Sequence, residues 1–200
     1  MLSEVATSEV ARLNLAPDGQ RLYQPLLRIG SVSRELIDSM SDIVWAISPR
    51  KDRLGSLTER MREFAGEVFG SRNIDFHFDA AGIDPEMRFD PDVRRQVFLI
   101  FKEGVHNIVR HAASTRVVCD FRIERRQLVL RLNDNGRGFA PNAVNGSVSD
   151  GHGLLSMQRR AQILGGSLDV AGELDRGVTI VLRVPLDRPA SYRSDHHLSR

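Results

Sequence analysis

The chain has 200 residues, 41% hydrophobic and 27% charged. That composition is globular, excludes wholesale disorder and collagen, and leaves room for one full-sized domain with an appendage or two small domains. The formal charge is +2, from 28 basic and 26 acidic residues, which gives no reason to expect a nucleic-acid partner.

No apolar run approaches the roughly 20 residues that span a bilayer, and Glu4 and Glu9 break the first segment as a signal peptide. The single cysteine, Cys119, excludes an internal disulfide framework and a Cys-based zinc site. These features suit a reducing compartment such as the cytoplasm and give no sign of direct membrane contact in this chain.

Residues 2–13 read as a helix, and Asn14 to Gln20, with Pro17, Asp18 and Gly19, as a break. A long helix follows from Arg21 to Ser48. Its residues Leu22, Leu26, Ile29, Ser33, Leu36, Met40, Ile43 and Ile47 are spaced alternately 4 and 3 apart, a heptad seam interrupted only by Ser33. At about 1.5 Å per residue this helix is roughly 40 Å long, and Pro49 stops it by excluding the helical conformation at Ser48. The seam is that of a dimerising hairpin; packing on its own domain is the alternative.

Leu54, Leu57, Met61, Phe64 and Val68 mark a second amphipathic helix, and Ile74 to Phe78 alternates as a half-buried strand does. Asp90 and Pro91 form a helix start, cap then first position, for a helix running to Ala112. Strand patterns cover Arg116 to Glu124, Gln127 to Asp134, Ser167 to Glu173 and Val178 to Pro185. A helix from Leu154 to Leu164 separates the second from the third. Helices cluster early and strands pair late, so the fold is α+β, a two-layer sandwich with helices on one face of a mixed sheet. Residues 189–200 read as a disordered tail.

Nine of the 16 glycines lie between Gly136 and Gly177. Strands that must pack do not favour glycine, so this density marks ordinary turns or loops that approach a ligand. Gly151-His152-Gly153-Leu154 runs straight into a helix, whose free amides would suit phosphate. Pro141 and Ser156 stand where a dinucleotide-binding glycine pattern needs its third glycine, and no P-loop is present. On the preceding helix, with Glu103 at 0°, Asn107 falls at about 40°, Arg110 at about −20° and His111 at about 80°. One stripe thus carries a carboxylate, an amide, a guanidinium and an imidazole. It is either a solvated face or a site for Mg²⁺ and a polyphosphate.

Together these segments match a family. Phe101-Lys102-Glu103-Gly104-Val105-His106-Asn107-Ile108-Val109-Arg110-His111-Ala112 resembles the N box of bacterial sensor histidine kinases. Asp134-Asn135-Gly136-Arg137-Gly138-Phe139 resembles their G1 box, Gly151-His152-Gly153-Leu154 their G2 box, and Gly177-Val178-Thr179 the closing G-x-T, in the family's order. Asp42 to Pro49 is similar to the end of the dimerisation hairpin in the subfamily that includes the nitrate and nitrite sensors.

The resemblance implies a Bergerat-type ATPase fold that binds ATP and Mg²⁺. Asp134 would accept from the adenine amino group, and Gly136 and Gly138 would let the backbone close on the base. Asn107 would hold Mg²⁺, and Glu103, the catalytic residue, would orient the metal's water or help proton transfer. Arg110 and His111 would lie near the phosphates. Gly151, Gly153 and Leu154 would start the phosphate-facing helix below a lid at 140–150, and Thr179 would support the adenine pocket.

The same resemblance divides the chain into a partial dimerisation hairpin (1–48), an ATP-binding catalytic domain (49–188) and the tail. It implies a homodimer through the helix at 21–48, a response-regulator receiver domain as partner, and upstream phosphoacceptor and sensor domains. The histidines are His77, His106, His111, His152, His196 and His197, so none lies in the hairpin segment. The expected phosphoacceptor therefore sits before Leu2 or is missing, and the chain alone should not phosphorylate itself. An anti-sigma-type serine kinase shares the ATP boxes but lacks the hairpin. A non-catalytic module that dimerises and binds nucleotide is the other alternative.

Overall fold

The computed structural model describes residue 40, residues 53–138 and residues 151–186. The helices read at 2–13 and 21–48, the lid at 140–150 and the tail at 189–200 lie outside the described residues, apart from Met40. The chain divides into two compact units, Met1–Ser48 and Pro49–Arg200, and every element below belongs to the second.

Helix α1 (Leu54–Gly70) buries Leu54, Leu57, Met61, Ala65 and Phe69, three or four residues apart, as one helical stripe requires. Strand β1 (Asp75–Asp79) follows. Helix α2 (Pro91–Asn107) starts where the sequence places it. Asp90 accepts from the backbone N–H groups of Asp92 (2.8 Å) and Val93 (3.3 Å), two donors with no partner inside the helix. Helix α2 then winds into a single π-helical turn, Ile108–Ala112, and Ala113 ends it in the left-handed conformation. Strands β2 (Arg116–Glu124) and β3 (Gln127–Asp134), helix α3 (Gly151–Ile163), and strands β4 (Ser167–Glu173) and β5 (Gly177–Pro185) complete the order.

The five strands form one sheet in the order β1-β2-β3-β5-β4. β1 runs parallel to β2 and every other pairing is antiparallel. A parallel neighbour needs a long crossover, and α2 supplies it. Alternation sends Val117, Cys119, Phe121, Leu128, Leu130, Leu132, Ile180, Leu182 and Val184 to one face, where all are buried.

All three helices cover that face. Phe69 of α1 meets Phe76 of β1 at 5.2 Å between ring centres. Met157 and Ala161 line the buried side of α3, and Leu164, just beyond its end, is buried as well. Helix α2 comes close to the sheet at Gly104, which has no side chain: a Cβ there would stand 2.9 Å from Leu132 Cδ2 and 3.3 Å from Ile180 Cδ1. The fold is the α+β sandwich with a mixed sheet and helices on one face that the pattern predicts.

Three local features differ from the sequence reading. Strand β1 lies one residue later than Ile74 to Phe78. Helix α3 begins at Gly151 rather than Leu154, because first-turn N–H groups need no helical partner and glycine is tolerated there. The end of α2 is a π turn, whose i→i+5 bonding breaks the 100° advance used to place Arg110 and His111.

Candidate functional site

Asp134 ends β3 on the buried face of the sheet and is 2% exposed. Its Oδ1 accepts the N–H of Gly136 at 2.8 Å. Burial pushes this carboxyl above the usual aspartate range, and the N–H groups of Gly136 and Val178 pull it partly back. A buried carboxylate steadied by backbone donors retains acceptor capacity for a ligand N–H.

The wall around it is backbone. Gly177 (φ +83°) and Gly138 (φ +59°) both take left-handed conformations. A Cβ on Gly177 would lie 1.9 Å from the Asp134 carbonyl oxygen, and one on Gly138 would lie 1.9 Å from that of Glu173. The N–H of Arg137 donates to Ala112 O at 2.8 Å and that of Asp175 to Arg137 O at 2.8 Å. Asn135 Oδ1 accepts from the N–H groups of Thr115 (3.0 Å) and Arg116 (2.8 Å). The loop after β3 is thereby tied to the end of α2, the start of β2 and the β4–β5 turn at once.

Thr179 does not join this cluster. Asn133 Nδ2 donates to its Oγ1 at 2.7 Å, and both residues sit on the sheet face opposite Asp134 and Ile180. Val178 is the β5 residue beside Asp134.

The second part of the site lies between α2 and α3. Glu103 and Asn107, one turn apart, are half-buried, and the first turn of α3 rests against both. A Cβ on Gly153 would lie 2.2 Å from Glu103 Oε1 and 3.7 Å from Asn107 Nδ2. Gly151 opens this turn and Leu154, half-buried, continues it. Arg110 and His111 are exposed on the π turn. A carboxylate and an amide at a helix start suit Mg²⁺ with phosphate oxygens, since this ion takes one or two protein ligands and fills the rest with phosphate and water.

Sequence reasoning missed three contributors. Val178 and Ala112 act through backbone groups, which residue type does not advertise. The third is a contact between Gln96 and Arg160, whose Nη1 donates to Gln96 Oε1 at 2.9 Å. Gln96 lies seven residues before Glu103 and Arg160 seven after Gly153, so helical periodicity applied to both helices together would have found it.

Residues 92–188 match the model of the histidine kinase-, DNA gyrase B-, and HSP90-like ATPases. The chain is 26% identical to the signal transduction histidine-protein kinase/phosphatase DegS of Bacillus subtilis over 136 residues, 68% of this chain and 35% of that protein. It is 23% identical to the oxygen sensor histidine kinase NreB of Staphylococcus carnosus over 179 residues, 89% of this chain and 50% of that protein. The chain thus spans a third to a half of the length of these curated relatives. Among solved structures, the histidine kinase domain of the blue-light activated kinase EL346 from Erythrobacter litoralis superposes with a TM-score of 0.59 at 18% identity, covering 90% of both chains. The histidine kinase AdeS of Acinetobacter baumannii does so with 0.59 at 12% identity, covering 92% of this chain and 95% of that one. At such identities the superpositions establish the fold.

Proposed function

We propose, from the match of residues 92–188 to the histidine kinase-, DNA gyrase B-, and HSP90-like ATPases, that the chain is the ATP-binding catalytic part of a sensor histidine kinase. The observation that carries the reading is Asp134, buried, braced by backbone N–H groups and walled by glycine backbone. An ionised carboxylate accepts and cannot donate, so it favours the adenine amino group and opposes the carbonyl oxygen that guanine presents in its place.

In this reading Gly136 and Gly138 shape the base pocket, and Gly151, Gly153 and Leu154 present the first turn of α3 to the phosphates. Arg110 and His111 reach the same end from the solvent side, and Thr179 braces β5 through Asn133. Asn107 would hold Mg²⁺, which when bound would supply charge neutralisation. An imidazole nitrogen of the acceptor histidine forms the new P–N bond as the bond from the γ-phosphorus to the bridging oxygen breaks. The electron pair leaves on ADP. Glu103 would orient the metal's water or take the proton that the imidazole releases.

The phosphoryl group then passes to an aspartate of a response-regulator receiver domain. Residues 1–48 are assigned as part of the dimerisation hairpin, 49–188 as the catalytic domain and 189–200 as a tail. Residues 1–48 contain no histidine, so the acceptor is assigned to a segment outside them, and placement at the cytoplasmic side follows from the same reading.

Calorimetry with Mg·ATP and Mg·GTP tests it. ATP binds and GTP binds far more weakly, and Asp134→Asn loses about 1–3 kcal/mol of ATP affinity through a mispaired amide. Equal ATP affinity in both proteins removes Asp134 from the base pocket.

A further inference from the structure

The antiparallel ladder between β2 and β3 keeps one register from Glu124 opposite Gln127 to Val117 opposite Asp134. The next pair in that register is Arg116 and Asn135, and a side chain closes it. The N–H of Asn135 donates to Arg116 O at 3.2 Å, as a hydrogen-bonded antiparallel pair requires. The return bond, from the N–H of Arg116, ends on Asn135 Oδ1 at 2.8 Å. The same oxygen accepts the N–H of Thr115 at 3.0 Å, and Asn135 Nδ2 donates to Thr115 Oγ1 at 2.9 Å. Thr115 O in turn accepts the N–H of Asp75 at 2.9 Å. The amide is thus fastened where β1 and β2 begin and β3 ends.

A side-chain oxygen that stands in for a main-chain carbonyl lets a strand stop without stranding the N–H groups opposite it. The chain then leaves the sheet at once. The N–H of Gly136 turns back onto Asp134 Oδ1 at 2.8 Å, and that of Arg137 goes to Ala112 O at 2.8 Å. Asp134 is the last residue in strand geometry, held on one side by the ladder and on the other by Asn135. We propose that Asn135 is a positioning residue for the purine base: by closing the β2–β3 ladder with its side chain, it fixes the backbone of Asp134 and so the direction in which that carboxylate offers its acceptor oxygen to an amino group. Its amide is engaged with Thr115 and Arg116, so it acts through Asp134 rather than on the ligand. The inference rests on the nucleotide reading of the site.

The test isolates the amino group from the rest of the nucleotide. Calorimetry on the 200-residue chain and its variants gives the affinities of Mg·ATP and of Mg·purine riboside triphosphate, which lacks only that group. In wild type ATP binds about tenfold more tightly or more, the scale of one hydrogen bond to a charged acceptor. In Asn135→Ala the ratio falls to about threefold or less, because the carboxylate loses its fixed direction and the bond its geometry. Asn135→Asp keeps the ratio: one carboxylate oxygen still accepts both N–H groups, and the Thr115 hydroxyl donates to the other. Its added charge weakens both nucleotides alike and cancels in the ratio. Equal losses for the two nucleotides in Asn135→Ala, or a ratio lost as fully in Asn135→Asp as in Asn135→Ala, overturn the proposal and leave Asn135 as a brace for the sheet. A wild type that binds both nucleotides equally overturns the reading of Asp134, and this inference with it. Melting curves show which variants are folded. If Asn135→Ala is not, Asn135→Ser, whose oxygen lies one bond short of the place of Oδ1, carries the test with the same expected fall in the ratio.

Discussion

At the scale of single residues, two carboxylates in one site face opposite demands. Asp134 must stay ionised in a buried position, and burial raises its pKa. As pH falls through that raised value Asp134 takes up a proton, one oxygen becomes a donor, and ATP affinity drops at a higher pH than an ordinary aspartate would give. Titration of ATP binding against pH reveals the step in wild type and its absence in Asp134→Asn. The stability effect has the opposite sign. The native state holds this proton more tightly than the unfolded chain does, so stability relative to Asp134→Asn falls as pH rises from the usual aspartate value through the raised one. Glu103 and Asn107 separate in another way. Asn107→Ala removes the Mg²⁺ dependence of triphosphate binding, whereas Glu103→Gln keeps most of the binding and slows transfer to an added histidine-bearing hairpin. Unchanged Mg²⁺ dependence in Asn107→Ala ends its assignment to the metal.

At the scale of elements, the proposed base pocket is a junction of three backbones. The loop after β3 touches the carbonyl of Ala112 at the end of α2 and the turn between β4 and β5. Gly138 sits at a tight point, with φ of +59° and the Glu173 carbonyl where a Cβ would be. Gly138→Ala therefore adds a left-handed strain of about 1 kcal/mol or more to a clash that only backbone movement relieves. The variant melts at a lower temperature and binds ATP more weakly, and an unchanged melting curve would show that the loop has slack. Gly104 works in the same sense on the other side of α2: its bare backbone lets the helix that carries Glu103 and Asn107 settle onto Leu132 and Ile180.

At the scale of the molecule, the sheet and three helices enclose one core, and Cys119 lies within it. Burial pushes its thiol well above the usual range, so alkylation reports unfolding of the whole domain: the labelling rate tracks denaturant until the unfolding transition, and rapid labelling in native buffer contradicts the packing. The helix assigned to 21–48 makes a separate prediction. In the proposed reading its seam from Leu22 to Ile47 is a homodimer interface. Leu36→Asp with Ile43→Asp places unpaired charge at two seam positions and shifts the chain to monomers in sedimentation, with ATP affinity retained. A wild-type monomer at high concentration contradicts the seam.

Much of this protein was determined by local chemistry and so could be read in the chain itself. Apolar residues recurring every three or four positions specify α1 and α2, alternation specifies the strands, and Asp90 before Pro91 specifies the start of α2. The roles proposed for Asp134, Asn107 and Glu103 come from the family resemblance of their motifs, since the stripe on α2 taken alone also fits a solvated face. What only the tertiary structure decided depends on partners distant in sequence. The face that Thr179 presents follows from its pairing with Asn133, 46 residues away. The last turn of α2 winds as a π helix and ends at Ala112, whose carbonyl accepts the N–H of Arg137. Gln96 and Arg160 meet because Gly153 lets α3 approach Glu103. Periodicity assigns a residue to a face of its own element, and packing alone determines which face of another element it meets.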